Sequence, residues 1–312
     1  MTKLVIQIPC YNEENLLLTT LNALPKTIKG IDAIEILIID DGSTDCSREI
    51  ALKWGAKVVT IKPHKGLANA FRVGLQEALK LNADIIVNTD ADNQYNAKDI
   101  EKLIFPIIKK QADIVVGARN ISEIKEFSTT KKILQRFGSN VLRLLSSTPV
   151  EDAPSGFRAF SHEAALKLNI FDNYTYTMET LIQAGAKGLR VISVPISVNP
   201  MLRKSRLIKN IIDYIFKSMK TTIRMFIVYR PFRFFSSLAL FLGLFGAILI
   251  TRFIYFYCNG LGNGHIQSLI FAAILILTSV QLIIIAIIGD LLSINRKLLE
   301  DIQLRIKKME LK

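Results

Sequence analysis

The 312-residue sequence predicts an α/β protein: a doubly wound, mostly parallel sheet, then an amphipathic helix and two membrane-crossing helices. Three observations carry this. Short apolar runs alternate with helical patterns through residue 120, the rhythm of βαβ units. Carboxylates cluster directly after two of those runs, at Asp40-Asp41 and Asp90-Ala91-Asp92, where an open parallel sheet receives its ligands. Beyond residue 200 the composition turns apolar and basic: residues 1–200 carry 24 Lys+Arg against 22 Asp+Glu, and residues 201–312 carry 16 against 5.

Strands are predicted at Lys3–Ile8, Glu35–Asp40, Lys57–Ile61, Asp84–Asn88 and Asp113–Gly117, each a short apolar run. Helices are predicted near 15–24, 44–54, 66–81 and 97–110 from their amphipathic spacing. Pro9 is expected to stop the first ladder, and Ser43 or Thr44 to cap the second helix. Residues 120–200 are less regular. A basic helix is expected from about Thr130 to Leu145, a turn at 154–156, a helix over 178–187 and a strand at Leu189–Val194. The domain so built is expected to span residues 1–204.

From Ser205 to Tyr229, Ile208, Ile211, Ile212, Ile215, Met219, Ile223 and Phe226 recur at helical spacing, with Lys209, Lys217, Lys220 and Arg224 between them. This pattern predicts a helix over 205–230 lying in a membrane interface. Phe234–Ile250, extended past Arg252 to Tyr257, and Ile266–Gly289 are long enough to cross a hydrocarbon core of about 30 Å. They predict a transmembrane hairpin over 231–290. Arg230 and Arg233 before it, and Arg296, Lys297, Arg305, Lys307 and Lys308 after it, place both ends in the cytoplasm by the positive-inside rule. A basic tail helix over 291–312 is expected beyond, and such a tail beside a two-span hairpin suits a homo-oligomer. The basic charge therefore points to anionic lipid headgroups, and no basic-aromatic module speaks for nucleic acid. The three cysteines fit neither a disulfide framework nor a CxxC metal site, and the N-terminal apolar run is strand-length, unlike a secretory signal.

Two aspartates one residue apart on a turn can ligate a hard cation such as Mg²⁺ or Mn²⁺ and leave positions open for phosphate oxygens. Asp90 and Asp92 therefore suggest metal-assisted chemistry on a phosphate-bearing substrate. After the first strand, Tyr11 can pack on a base and Glu13 can accept from its amino groups. At Asp40-Asp41-Gly42-Ser43-Thr44-Asp45 a carboxylate can accept from an imide N–H or a ribose hydroxyl. His64-Lys65-Gly66 can touch a diphosphate, but reads better as a loop with a helix cap, and no phosphate-loop spacing supports an ATP site.

Pro9-Cys10-Tyr11-Asn12-Glu13-Glu14, then Asp40 to Asp45, then Asp90-Ala91-Asp92-Asn93-Gln94 resembles the family 2 glycosyltransferases, with the GT-A nucleotide-sugar fold. Gly117-Ala118-Arg119 and Asp152-Ala153-Pro154-Ser155-Gly156-Phe157-Arg158 resemble the branch that includes dolichol-phosphate mannose synthase and bacterial polyprenyl-phosphate glucosyltransferases. The resemblance implies that Pro9, Tyr11, Asn12, Glu13, Asp40 and Asp41 surround the nucleotide of a UDP- or GDP-sugar. It implies Asp90, Asp92 and Gln94 as ligands of Mg²⁺ or Mn²⁺, with Asp90 also near the ribose and Ala91 among the residues that bind the nucleotide-sugar. It implies that Arg119, the basic helix with Lys131 and Arg136, and the loop with Arg203, Ser205 and Arg206 hold a polyprenyl phosphate. That loop is shorter than the branch leads one to expect, and Lys131 and Gln135 stand where an Arg and a Ser are expected.

Asp152 is the best candidate to lie near the sugar, with Ser155 and Gly156 letting backbone approach the ligand. Glu179, at the start of a helix, is a further candidate. The expected reaction is transfer, with inversion, of one sugar from a nucleotide-sugar to an undecaprenyl or dolichyl phosphate at the cytoplasmic leaflet. Asp92, Asp152 and Arg119 are the residues expected to carry it. A polyprenyl phosphate is already ionised near neutral pH, so positioning and charge handling matter more than a strong base. A processive polysaccharide synthase is excluded, because such enzymes carry a Gln-x-x-Arg-Trp helix and the single Trp here is Trp54. Transfer to a lipid-linked saccharide or a diacylglycerol, and an inactive membrane-tethered partner protein, stand as alternatives.

Overall fold

The computed structural model describes residues 1–120, 138–143, 146–171, 175–200, 211–260 and 266–311. They form two compact units, Met1–Ile223 with Leu304–Lys312, and Arg224–Gln303. In the first unit β1 (Lys3–Cys10), β2 (Ala33–Asp40), β3 (Lys57–Thr60), β4 (Ile85–Asn88), β5 (Ile114–Arg119), β6 (Arg158–Ser161) and β7 (Val191–Ile196) make one sheet of order β3-β2-β1-β4-β6-β5-β7. All neighbours pair in parallel except β6, which runs antiparallel to both β4 and β5. The central strands are buried on both faces, which is why Leu4-Val5-Ile6 and Ile36 to Ile39 read as unbroken apolar runs.

Helices α1 (Leu17–Ala23), α2 (Ser47–Trp54), α3 (Leu67–Lys80) and α4 (Ile100–Ile108) follow the first, second, third and fourth strands. Helix α3 lies close on the sheet: a methyl group at Gly74 would stand 2.5 Å from the Gln7 side-chain oxygen. Helix α5 (His162–Lys167) leaves β6 at once, and α6 (Thr177–Ala186) precedes β7.

Strand β1 does not stop at Pro9. It continues to Cys10, paired with β2 at Pro9↔Ile39 and Cys10↔Asp40, while its pairing with β4 ends at Gln7, so the missing N–H falls beyond that ladder. Neither Ser43 nor Thr44 caps α2. Asp45 accepts from the Ser47 N–H at 3.0 Å, and Ser43 and Thr44 bond the turn after β1 instead. Strand β6 and α5 have no counterpart in the sequence reading.

Helix α7 (Ile211–Tyr229) exposes Phe216, Met219 and Ile223 together with Lys217, Lys220 and Arg224. In the second unit α8 (Pro231–Cys258) and α9 (Ile266–Glu310) are long and apolar enough to cross a membrane. They meet through small residues. Ala239, Ala272, Ser279 and Ala286 are buried, the Ser279 hydroxyl donates to the Ala239 carbonyl at 2.7 Å, and a methyl group at Gly246 would stand 2.9 Å from Ile276. Close approach through small residues is how helices associate where lipid removes the hydrophobic drive. Helix α9 continues without a break past Gly289, so the basic tail is an extension of the second apolar helix. At its end Lys307 donates to the Leu166 and Leu168 carbonyls and to the Asn169 side chain at 3.2, 3.4 and 2.9 Å, capping α5 within the first unit.

Candidate active site

Because β1, β2, β4 and β5 are parallel, their carboxyl ends share one edge of the sheet. The reversed β6 begins at that same edge, so the segment before it, Asp152–Phe157, joins the turns that follow the other strands.

The turns after β1 and β2 are stitched together. Asn12 donates its N–H to Ser43 at 3.0 Å and accepts from the Thr44 N–H at 2.8 Å, while the Glu13 N–H donates to Ser47 at 2.7 Å. Asp40 is buried and accepts from the Ser43 N–H at 2.9 Å, so it shapes its own turn. Asp41, equally buried, accepts from the Lys65 and Gly66 N–H groups at 2.9 and 2.7 Å and faces the His64 Nδ1 at 2.8 Å. The half-exposed His64 ring stacks on Tyr11 with centroids 4.0 Å apart. Tyr11, Asp41 and His64 thus form one contiguous cluster at this edge. The sequence reading favoured a helix-capping loop over a diphosphate contact at His64 and did not foresee its stacking on Tyr11 or its contact with Asp41.

The turn after β4 carries Asp90, Ala91, Asp92 and Gln94. Asp92 accepts from the Gln94 N–H at 3.1 Å, and the Ala91 carbonyl accepts from Thr20 at 2.8 Å. Residue 199 fixes the far side: its N–H donates to the Gln94 carbonyl at 2.8 Å and its side chain to the Asn93 carbonyl at 2.8 Å. Gly156 lies against this turn, since a methyl group there would stand 3.2 Å from an Asp90 carboxylate oxygen and 2.9 Å from the Tyr176 hydroxyl. Glycine is the residue that leaves the carboxylate room.

Asp152 is buried and bound to Arg119. The guanidinium donates from Nε to Oδ2 at 2.6 Å and from Nη2 to Oδ1 at 3.1 Å, a bidentate pair. Burial acts to lower the Arg119 pKa, but Asp152, Tyr95 and Asp90 together outweigh it and hold the value above normal. Asp152 therefore orients the arginine that ends β5. Glu179 is fully buried in α6 and accepts from the Phe171 N–H at 3.0 and 3.2 Å, which turns it toward the α5–α6 connection. Lys131, Arg136, Arg203, Ser205 and Arg206 lie outside the described residues.

Beneath the site runs a buried polar chain that the sequence did not single out. Gln7 donates to Asn88 at 2.9 Å, and Asn88 donates to the Gly156 carbonyl at 2.8 Å and to the Tyr176 hydroxyl at 2.8 Å. The Gly156 N–H donates to Tyr95 at 3.1 Å. Burial pushes the Tyr95 phenol up to about 12. A polar residue inside an apolar strand run, as at Gln7 and Asn88, is the signal that marks such a chain.

The side chains that could hold a cation at the β4 turn are two carboxylates and one amide, Asp90, Asp92 and Gln94. Among the described residues no group of three or more His, Cys, Asp or Glu side chains is placed to hold a metal ion. A two-carboxylate set with open positions suits Mg²⁺ or Mn²⁺, which completes its shell with water and phosphate oxygens. The residues present fit such an ion.

The profile of the Glycosyl transferase family 2 matches residues 5–168, from within β1 to the end of α5 and just beyond. The chain belongs to this family. The transferase is 35% identical over 211 residues to the UDP-N-acetylglucosamine–dolichyl-phosphate N-acetylglucosaminyltransferase of Methanococcus voltae, covering 61% of this chain and 82% of that one. It is 28% identical over 233 residues to the dolichol-phosphate mannosyltransferase of Pyrococcus furiosus, covering 70% and 64%. Among solved structures, glucosyl-3-phosphoglycerate synthase from Mycobacterium tuberculosis with Mn²⁺, UDP-glucose and phosphoglyceric acid superposes with a TM-score of 0.56 at 19% identity, covering 72% and 79%. At that identity the likeness shows the fold, the GT-A sheet expected from the sequence.

Proposed function

We propose that the transferase moves a single sugar, with inversion, from a nucleotide-sugar to a polyprenyl phosphate at the cytoplasmic face of a membrane. The observation that carries this reading is the meeting of three elements at one sheet edge: the Asp90–Gln94 turn, the Asp152–Gly156 loop and Arg119. The two apolar helices and the lipid-phosphate acceptors named for its relatives support the acceptor class.

Tyr11, with Glu13, Asp41 and His64 around it, receives the nucleotide. Asp90, Asp92 and Gln94 would hold Mg²⁺ or Mn²⁺, which supplies Lewis-acid neutralisation of the departing diphosphate. Arg119, fixed by Asp152, presents a cation beside the sugar's path. The acceptor phosphate brings its own negative charge, so the protein's task is alignment and charge balance. Lys131, Arg136, Arg203, Ser205 and Arg206 complete the acceptor side in this reading. The 205–230 segment lies in the interface, and basic residues on both flanks of the hairpin keep the transferase domain in the cytoplasm.

The test is a transfer assay on the full chain in detergent or membranes. Radiolabelled UDP-glucose, UDP-N-acetylglucosamine and GDP-mannose are each offered with undecaprenyl or dolichyl phosphate, with and without EDTA. Label is expected in an organic-extractable, acid-labile lipid and lost with EDTA. Asp92→Asn is expected to lower this turnover by at least about 100-fold with unchanged thermal stability. Full activity in EDTA or in the variant would refute the metal assignment, and label only in another acceptor would refute the lipid phosphate.

A further inference from the structure

We propose that Arg158 is a positioning residue for sugar transfer: it moulds the Asp152–Gly156 loop that orients Arg119 and walls the Asp90 turn. The inference rests on reading that loop as part of the donor site.

Arg158 opens β6 and is completely buried. Its guanidinium donates from Nε to the Ser155 carbonyl at 2.8 Å and from Nη2 to the Ala153 carbonyl at 2.6 Å. Nη1 donates to the Thr177 carbonyl at 2.9 Å and to the Thr180 hydroxyl at 2.6 Å. All four acceptors are neutral oxygens. Enclosing a cation among neutral groups is costly, and burial draws its pKa down to about 10.

What the guanidinium supplies is a rigid planar fork with donors in fixed directions. It reaches two carbonyls two residues apart in the loop and two oxygens at the start of α6. The loop is thereby bent back on its own following strand, and the Ser155 N–H closes the turn on the Asp152 carbonyl at 3.1 Å. Two consequences follow. Asp152 stays in place for both Arg119 contacts, and Gly156 stays within reach of Asn88, Tyr95 and Tyr176. The tie to Thr177 holds the α6 start whose neighbour, Tyr176, completes that grip. The cluster of Tyr11, Asp41 and His64 stands on other turns and does not depend on it.

The experiment compares full-length Arg158→Met and Arg158→Lys with wild type. It measures melting temperature, binding of UDP or GDP with Mn²⁺, and kcat and KM for the donor that wild type uses. Arg158→Met is expected to fold, to bind the nucleotide within about threefold of wild type, and to lose about 100-fold or more in kcat. Arg158→Lys, which keeps the charge without the fork, is expected to recover part of that loss. A folded Arg158→Met with kcat within about threefold of wild type overturns the proposal, as does parallel loss of kcat and nucleotide binding. If Arg158→Met fails to fold, Arg158→Lys decides: a kcat about tenfold lower at unchanged KM supports the proposal, and unchanged kcat overturns it. Absence of transfer by wild type itself would instead count against the function proposed above.

Discussion

Asp152 and Arg119 form a buried, bidentate ion pair at the ligand-binding edge of the sheet. Breaking a buried, bidentate pair from one side leaves an uncompensated charge, at a cost of about 3–5 kcal/mol. Asp152→Asn is therefore expected to lower unfolding free energy by about that amount in urea titration, together with activity. Two other buried groups set an alkaline limit. Burial pushes the Cys10 thiol from 9.0 to about 12, and the Tyr95 phenol from 10.0 to about 12. Both keep their protons to higher pH in the folded chain than in the unfolded one. Their contribution to stability is complete below the unfolded values and fades as pH rises toward about 12. Denaturation midpoints should accordingly fall from pH 9 upward, and at pH 9 a maleimide should label exposed Cys46 far faster than Cys10.

At the scale of elements, α6 is placed by contact too close for any side chain. A methyl group at Gly185 would stand 1.6 Å from the Ser146 carbonyl oxygen, so Gly185→Ala must displace the helix. A loss of about 1–3 kcal/mol is expected, read by thermal melting, with reduced turnover because α6 carries Arg158's acceptors. The parallel strands were legible because each is a continuous apolar run ending in a polar cluster, as Ile36 to Asp41 illustrates. Strand β6 was not. Arg-Ala-Phe-Ser is four residues, opens with a charge and passes straight into α5, too short for any periodicity to register. The site divides the same way. Asp90 and Asp92 announce themselves by position after a strand, whereas Asn88, Tyr95 and Tyr176 become partners only once the chain has closed. His64 was weighed as a diphosphate contact but set below a helix-capping loop, because its stacking partner Tyr11 is 53 residues away in sequence and meets it only in the fold.

Across the whole molecule, the second apolar helix continues into a tail whose last turns belong to the transferase unit. Lys307 caps α5 through three acceptors, and burial together with the nearby Lys187 lowers its pKa. Lys307→Met is expected to destabilise that unit by about 1–3 kcal/mol in thermal melting, even though Lys307 is remote in sequence from every strand. The reversal of one strand has a wider effect. Turns that follow parallel strands lead away into helices and can lengthen outward with little penalty. The Asp152–Phe157 segment instead enters a strand flanked on both sides, and it is tied along its length by Arg119, Arg158, Tyr95 and Asn88. In segment exchange between relatives, the turns after β1 and β2 are expected to move only as a pair, because Asn12, Ser43, Thr44 and Ser47 join them. The stretch before β6 will transplant only together with the strand and its four anchors.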